Sequence, residues 1–285
     1  NGARRDLRIN RKIRRIMARV LVTGGSRGIG KAIAEEFLKR GYDTILVAKN
    51  KIDLEKTKIE FQNKYKNQTI ITEAMDLREE ENLHKLIDKY NEIDILVNNA
   101  GILSFGYSHE IDNTTLLNGI KLNIEAPCFL GNHYIREILN SGNSKNIKGI
   151  INVSSISGIF PHPLTTFYSP SKYFLDQYSC NMKYEINKKY KDKKINIMSL
   201  CPGSVDTDIF GDGKFTNINK YSKILKSFGL MLSTEYVARV AVKDFFKGKK
   251  RSIVGKFYKL MWYTMILFPK RIVYRLMYKG MVEEI

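Results

Sequence analysis

The sequence predicts an α/β fold, a doubly wound parallel sheet of about seven strands with helices on both faces. Two observations predict this class. Short apolar segments alternate along the chain with longer segments whose apolar residues recur at helical spacing. The short segments are also apolar almost throughout, which is typical of parallel strands that helices cover on both faces. Crossovers between such strands are right-handed, and ligands bind beyond the carboxyl ends of the strands.

The predicted strands, in chain order, are Val20–Thr23, Thr44–Ala48, Thr69–Glu73, Ile95–Asn98, Gly149–Ser154, Ile195–Leu200 and Ser252–Val254. The predicted helices between them are Gly28–Arg40, Ile52–Tyr65, Glu79–Tyr90, Leu116–Asn140, Pro170–Tyr190 and Ser233–Phe246. This alternation indicates one Rossmann-like domain over residues 17–255. Residues 207–229 are rich in Gly, Asn and Lys and break the pattern, and we expect them to form a lid within that domain.

The net charge of +19 is concentrated at the two ends of the 285-residue chain. Residues 1–16 carry +6 and residues 243–279 carry +10, whereas residues 17–242 carry only +5 and residues 280–285 carry −2. Residues 1–16 lack the apolar run of a secretory signal peptide, and we expect a disordered or non-native tail ahead of a natural start at Met17. Aromatic residues are not interleaved with these cations, so we expect no nucleic-acid partner.

Cysteine and histidine usage excludes several further classes. The three cysteines are far apart and lack a CxxC pair, which excludes a disulfide framework and a zinc ribbon and favours a reducing, cytoplasmic location. The four histidines show no metal-binding spacing, so we expect no metal site.

Residues 256–285 form a basic and aromatic extension, which we expect to be helical. Its longest apolar run, Leu260–Phe268, has nine residues, whereas a membrane span needs about 20, so we expect no transmembrane helix. Aromatic residues flanked by cations could lie in a membrane interface, or pack across the substrate mouth or against a neighbouring subunit. Packing is favoured over peripheral membrane contact, and both alternatives stay open.

A glycine-rich turn follows the first predicted strand and leads straight into a helix. Gly24, Gly28 and Gly30 permit a tight turn and the close approach of a pyrophosphate, and the helix N-terminus offers free N–H donors. The phosphate loop of nucleotide triphosphatases is a rival interpretation, since Lys31 ends a similar glycine spacing. That loop requires Ser or Thr next to hold magnesium, and this chain has Ala32. A dinucleotide site is therefore favoured.

The end of the second predicted strand indicates which dinucleotide binds. Dinucleotide-binding folds often place an acidic residue about 20 positions after the glycines, where it accepts the ribose 2′-hydroxyl. This chain has Ala48 followed by Lys49, and Arg27 lies in the glycine turn. Two cations and no carboxylate favour a 2′-phosphate, so we predict NADP(H) as the cofactor.

Tyr168 and Lys172 are four residues apart, so on a helix they share one face. A free tyrosine, with a pKa of about 10, is a poor acid at neutral pH. A neighbouring ammonium would lower that pKa and make Tyr168 a usable proton donor and acceptor. Ser154 and Ser155 follow a buried strand. Taken alone, the Tyr168–Lys172 spacing and the serine pair are each more often structural than catalytic.

Together, these motifs resemble the short-chain dehydrogenase/reductase family over residues 17–255. The matching residues, in that family's order, are Thr23, Gly24, Gly28, Gly30, Asp76, Asn98, Asn99, Ala100, Gly101, Asn123, Ser155, Tyr168, Lys172, Pro202, Gly203 and Thr207. The resemblance implies a set of cofactor-binding residues, namely Gly24, Ser26, Arg27, Gly28, Ile29, Gly30, Lys49, Asp76, Leu77, Asn99, Ala100, Gly101, Tyr168, Lys172, Pro202, Gly203, Val205 and Thr207.

The resemblance also implies four catalytic residues. Tyr168 would be the general acid and base, and Lys172 would tune it and bind the nicotinamide ribose. Ser155 would bond to the substrate oxygen, and Asn123 would hold the water of a proton relay. The chain departs mildly from the family pattern: Lys49 replaces a common arginine, which slightly weakens the NADP(H) prediction, and Ala126 stands where glycine is frequent.

The implied function is NADPH-dependent reduction of a small-molecule ketone or aldehyde to an alcohol, in a homo-oligomer that is a dimer or tetramer. Loop residues Ile159, Phe160 and Leu164 are apolar and favour a lipophilic carbonyl substrate. The alternative is a non-catalytic NADP-binding sensor or scaffold on the same fold. The complete set of four catalytic residues favours the enzyme, since a scaffold has no need of it.

Overall fold

A computed structural model describes residues 18–141, 146–160, 162–206, 226–227 and 229–282 of the protein. At its centre lies a sheet of seven parallel strands. The strands are β1 (Arg19–Thr23), β2 (Asp43–Ala48), β3 (Ile70–Ala74), β4 (Ile95–Asn98), β5 (Lys148–Val153), β6 (Ile195–Pro202) and β7 (Arg251–Val254).

Helices connect and follow these strands. They are α1 (Gly28–Leu38), α2 (Lys51–Lys64), α3 (Glu80–Lys89), α4 (Asn113–Ile120), α5 (Ala126–Asn140), α6 (Tyr168–Lys189), α7 (Thr234–Phe246), α8 (Lys256–Leu267) and α9 (Lys270–Val282). Short 3-10 turns lie at Ser108–Glu110 and Ile156–Gly158, and a π-helical turn spans Lys121–Glu125.

The strand order is β3-β2-β1-β4-β5-β6-β7, so the winding direction reverses between β1 and β4. This confirms the doubly wound, Rossmann-like fold. The register places Val22 beside Val97 and Asn98 beside Asn152, so the strands end at a common edge. Loops after β1, β4 and β5 therefore open into one crevice, which is where such sheets bind ligands.

Helices cover both faces of the sheet, and each face has its own apolar core. On one face Phe37 of α1 and Phe245 of α7 pack edge to face, with ring centroids 6.5 Å apart. On the other face Leu86 of α3, Leu130 of α5 and Met182 of α6 join one buried cluster. Strands covered on both faces explain why their sequences are apolar throughout rather than alternating.

Two predicted helices differ from those observed. The single helix predicted over Leu116–Asn140 is divided into α4, the π-helical turn and α5. Pro127 lies at the start of α5 and has no N–H to donate to the preceding turn, which interrupts the regular ladder there. The helix predicted to begin at Pro170 begins at Tyr168, because proline is tolerated within a first turn.

Some expectations fall on parts of the chain that the structure does not describe. The tail 1–16, the start at Met17, and residues 207–225 and 228 of the expected lid lie outside the described residues. Within the described part, no helix is long and apolar enough to cross a bilayer, and no group of three or more His, Cys, Asp or Glu side chains could hold a metal ion.

A buried ion pair joins the long helix α6 to the edge strand β7. Arg251 donates from Nε to Oδ1 of Asp176 (2.8 Å) and makes a second bond to Oδ2, and the Asp176 side chain is 2% exposed. The thiol of Cys201 also donates to Asp176. The guanidinium of Arg251 lies 5.7 Å from the ring centroid of Trp262, so the pair also contacts α8.

We expect Arg251→Met to lower the free energy of unfolding by about 3–5 kcal/mol, because it leaves the Asp176 carboxylate buried without its partner. The double variant Asp176→Leu with Arg251→Met should lose much less than the two single variants together, as urea denaturation would measure. The control is Lys85→Met, which breaks the exposed pair of Lys85 with Glu81 and should cost less than about 1 kcal/mol. An equally small loss for Arg251→Met would contradict this account of the pair.

Candidate active site

The glycine-rich turn after β1 is shaped by two demands on its backbone. Gly24 and Gly28 adopt φ values of +64° and +57°, which side chains other than glycine rarely tolerate. A Cβ on Gly30 would lie 2.3 Å from the carbonyl oxygen of Gly24, so helix and turn could not approach as they do. The N-cap of α1, Arg27, is extended and its side chain makes no capping bond. The uncapped first turn of α1 therefore suits the phosphates of a dinucleotide.

Asn99 and Ala100, just after β4, are tied to this turn by hydrogen bonds to Thr23. Their backbone N–H groups both donate to Thr23 Oγ1, at 2.9 and 3.0 Å. The Asn99 side-chain amide donates to the carbonyl oxygens of Thr23 (3.0 Å) and Gly24 (3.1 Å). The two loops thus form one rigid wall of the crevice. Ser26 is fixed as well, since its carbonyl oxygen accepts a bond from Thr57 Oγ1 (2.8 Å).

Asp76, which follows β3, lies at the far end of the crevice between two cations. Arg78 Nε donates to its Oδ1 (2.9 Å), and Lys49 Nζ lies 3.1 Å from its Oδ2. Arg78, and to a lesser degree Lys49, hold the pKa of Asp76 well below its usual range. The side chain of Lys49 is 70% exposed, and Arg27 is exposed too, so both cations face solvent at this end of the crevice.

Arg78 was missed by the sequence reasoning, although it stands only two residues after Asp76. Leu77 between them is buried in the core. Because Arg78 is bonded to the carboxylate through both nitrogens of one edge, it orients Asp76 more firmly than Lys49 does. A cation two residues from an acidic residue at a strand end is the signal that could have found it.

Tyr168, Lys172 and Ser155 come together at the carboxyl end of β5. Tyr168 opens α6, and Lys172 lies one turn later with its Nζ 5.7 Å from the Tyr168 ring centroid. The Ser155 hydroxyl lies near enough to the Tyr168 phenol to lower its pKa. Lys172 Nζ donates to the carbonyl oxygen of Val153 (2.8 Å), which fixes α6 against β5. A phenol, a hydroxyl and an ammonium thus share one small space.

The pKa of Tyr168 differs in direction from the sequence expectation. Burial raises the pKa of Tyr168 to about 12, partly offset by the nearby Ser155 hydroxyl. The expected lowering by Lys172 is wrong for this arrangement, because the ammonium bonds to Val153 rather than to the phenol. Burial also lowers the pKa of Lys172, to about 8, which weakens its effect as a fixed positive charge.

Asn123 lies in the π-helical turn and is buried behind this group. Its Oδ1 accepts from the Ile102 N–H (2.9 Å), and its Nδ2 donates to the Ile102 carbonyl (2.9 Å) and to Ser171 Oγ (3.2 Å). Ser171 Oγ in turn donates to the Tyr168 carbonyl (2.6 Å). The Asn123 amide is thus hydrogen-bonded both to the loop after β4 and to α6.

Gly101 separates Asn123 from Lys172. A Cβ on Gly101 would lie 3.2 Å from Asn123 Oδ1 and 3.3 Å from Lys172 Nζ. The loop after β4, the π-helical turn and α6 therefore meet around one buried ammonium.

The turn after β6 closes the other side of the crevice. Pro202 and Val205 are buried, and a Cβ on Gly203 would lie 2.1 Å from the ring of Tyr258 of α8. Thr207 lies outside the described residues. Tyr258 was not predicted as a neighbour of this turn, because its contact depends on where α8 packs in three dimensions.

The fold and this site define a dinucleotide-binding α/β protein. Residues 18–215 match the model of the short chain dehydrogenase family. The chain therefore belongs to the short-chain dehydrogenase/reductase family, which binds nicotinamide cofactors.

Three known proteins illustrate the similarity. The very-long-chain 3-oxoacyl-CoA reductase of Macaca fascicularis is 36% identical over 202 residues, which cover 66% of this chain and 60% of that protein. The short-chain dehydrogenase of Sphingobium yanoikuyae, solved with NADPH, has a TM-score of 0.71 at 22% identity, covering 88% of this chain and 92% of its own. The 3-oxoacyl-[acyl-carrier protein] reductase of Brucella melitensis, solved with NAD, has a TM-score of 0.68 at 20% identity, covering 84% and 96%.

We expect the stability of the wild type, relative to Lys172→Met, to rise as pH increases from about 8 to 10.5. The unfolded chain keeps the Lys172 proton up to its ordinary pKa of 10.5, whereas the folded chain releases it near 8. Between these values the unfolded state binds more protons, so raising the pH favours the folded wild type. Denaturant titrations across this range should show a larger change than the exposed control Lys191→Met. A pH-independent difference would contradict the lowered pKa.

Proposed function

We propose that the chain is an oxidoreductase that uses NADPH to reduce a lipophilic ketone or aldehyde to an alcohol. One observation carries the proposal. The Tyr168 phenol, the Ser155 hydroxyl and the Lys172 ammonium are gathered at the same sheet edge as the uncapped glycine turn. A cofactor whose phosphates lie on the first turn of α1 would extend along this edge toward those three side chains.

The chain's own residues would orient the carbonyl and supply a proton. When bound, the nicotinamide cofactor supplies the hydride that reduces the carbonyl carbon. Ser155 and Tyr168 donate hydrogen bonds to the substrate oxygen, and Tyr168 gives up its proton as negative charge grows there. The raised pKa of Tyr168 keeps this proton in place until the alkoxide forms. Lys172 fixes α6 against β5, and its ammonium stabilises the phenolate that Tyr168 becomes after it gives up its proton.

NADP(H) is the proposed form of the cofactor. Lys49 and Arg27 are exposed cations at the end of the crevice where an adenosine ribose would lie, and Ala48 provides no carboxylate for a free 2′-hydroxyl. Asp76 is held by Arg78 and is ionised, so it suits a hydrogen-bond donor of the adenine. A 2′-phosphate would contact Lys49 and leave the bond between Arg78 and Asp76 intact.

The proposed substrate is a long-chain 3-oxoacyl thioester or a similar lipophilic ketone. An apolar cluster of Ile156, Phe160, Cys201, Ile253 and Tyr258 lies beside Ser155, and the sulfur-bearing and aromatic side chains of α8 pack against it. The similarity to a very-long-chain 3-oxoacyl-CoA reductase supports this class. A non-catalytic NADP-binding sensor remains the second candidate, with no observation that favours it over the enzyme.

We further propose a cytoplasmic homo-oligomer in which residues 17–255 form the catalytic domain and residues 256–285 a C-terminal extension. Tyr173 and Phe174 on α6 are exposed, and Phe174 stacks on Tyr178, whose hydroxyl bonds to Asn132 of α5. Exposed aromatic residues on α6, beside α5, suit a contact between copies of the chain.

Tyr168→Phe should abolish NADPH-dependent reduction while leaving cofactor binding intact, because only the transferable proton is removed. Steady-state NADPH oxidation and a fluorescence titration with NADPH would measure the two effects. The matched control is Tyr184→Phe, an exposed tyrosine on the same helix. Retained turnover in Tyr168→Phe would overturn the assignment of the proton donor.

Lys49→Glu should lower kcat/KM with NADPH by about tenfold or more while kcat/KM with NADH stays within a few-fold. It replaces a charge-assisted contact to the 2′-phosphate by repulsion. Lys66→Glu makes the same charge change at another exposed position. It should leave the ratio of kcat/KM with NADPH to kcat/KM with NADH unchanged. Parallel losses with both cofactors in Lys49→Glu would argue against a 2′-phosphate contact.

A further inference from the structure

Helix α8 is apolar on two opposite faces, and the protein covers only one of them. The inner face, formed by Tyr258, Met261, Trp262 and Met265, packs on the cluster beside Ser155. The outer face carries Leu260, Tyr263 and Leu267, which are 64%, 63% and 83% exposed. At 3.6 residues per turn the two sets point in opposite directions. Exposed apolar side chains gathered on one face mark a site of contact with a partner or a membrane, so we expect apolar material to cover the outer face.

Helix α9 follows α8 after Phe268 and Pro269, and it carries a row of cations. Arg271, Arg275 and Lys279 recur every four residues and so share one side of α9, and Ile272 and Leu276 are exposed beside them. Val273 is buried and fixes the helix to the body of the protein. Aromatic and aliphatic side chains flanked by a row of basic ones form the pattern of a helix that lies in a membrane interface.

The charge of this region is of one sign. Residues 256–282 contain six Lys or Arg, and no Asp or Glu occurs from 245 to 282. A second copy of the chain meeting this face would bring six more positive charges against the first six, which disfavours self-association here. A lipid surface with anionic headgroups offers both the apolar phase and the opposite charge.

We propose that the outer face of α8 and the basic side of α9 bind the surface of an anionic membrane. Leu260, Tyr263 and Leu267 enter the headgroup and acyl boundary, and the cations of α9 contact the anionic headgroups. This inference deepens the proposed function. Only one consequence rests on that function, namely the short distance between the membrane and the site of reaction. Because the inner face of α8 flanks the Ser155 cluster, the membrane lies about one helix diameter, roughly 10 Å, from the site where a lipophilic substrate would react.

The first test is co-sedimentation of the full chain with vesicles of phosphatidylcholine, with or without phosphatidylserine. We expect binding to the vesicles with phosphatidylserine, weakened at high salt. Leu260→Ser with Leu267→Ser should reduce this binding at least tenfold, because two apolar side chains no longer leave water. The matched control is Ile52→Ser with Ile59→Ser, two exposed apolar residues of α2, and it should bind as the wild type does. Thermal unfolding would confirm that both double variants fold.

A second pair of variants tests the charges. Arg271→Gln with Arg275→Gln should weaken binding to the anionic vesicles by about fivefold for each charge removed. Lys188→Gln with Lys191→Gln removes two charges from the end of α6 and its following loop and should have little effect. Equal binding to vesicles with and without phosphatidylserine would overturn the proposal for an anionic surface.

Further outcomes separate the lipid proposal from self-association and from the proposed function. Lack of vesicle binding, together with a dimer that dissociates in the Leu260→Ser, Leu267→Ser variant, would show that a second copy covers the face and would overturn it. Tyr168→Phe should bind vesicles as the wild type does, since the lipid contact does not require catalysis. Lost vesicle binding with intact reduction of a water-soluble ketone would therefore reject the lipid proposal alone, whereas vesicle binding without any reductase activity would reject only the proposed function.

Discussion

The buried ammonium of Lys172 is the constraint on which the rest of the site depends. It is removed from water, and its one hydrogen bond described in the structure goes to the carbonyl of Val153 at the end of β5. The loop after β5 comes close enough to α6 that a Cβ on Gly158 would lie 2.6 Å from the backbone of Lys172. Ser154 Oγ also donates to the Lys172 carbonyl (2.7 Å). Strand, loop and helix are thus held together around a charge whose burial costs stability.

The same helix connects the site to the C-terminal extension. Tyr168, Lys172 and Asp176 follow one another at intervals of four, so one side of α6 carries the phenol, the ammonium and the buried carboxylate. Asp176 is bonded to Arg251, which contacts Trp262 of α8. Helix α8 therefore packs against the substrate side of the crevice and is also coupled to the base of the catalytic helix. The ion pair thus links the position of α8 to the catalytic helix.

The sequence predicted the sheet well, because it follows from local patterns, and the same kind of pattern singled out the side chains that the structure gathers at one sheet edge. Apolar runs covered on both faces, the glycine spacing and the four-residue interval from Tyr168 to Lys172 are readable without knowledge of packing. The direction of the Tyr168 pKa was wrong, since it depends on burial and on Lys172 bonding to Val153. Tyr258 was missed because its neighbour Gly203 is close only in space, whereas Arg78, two residues after Asp76, could have been found in the sequence. The interruption before Pro127 was likewise hidden in a continuous helical pattern.

The central claim is that hydride passes from a nicotinamide cofactor to a carbonyl carbon held between Ser155 and Tyr168. The most direct measurement uses NADPH carrying deuterium at the transferable position of the nicotinamide ring, incubated with the full chain and a panel of 3-oxoacyl thioesters, ketones and aldehydes. The account predicts an alcohol one mass unit heavier than that from unlabelled NADPH, with the deuterium on the former carbonyl carbon and on one stereochemical face. Tight binding of NADPH with no labelled alcohol from any member of the panel would contradict it and favour a sensor on the same fold.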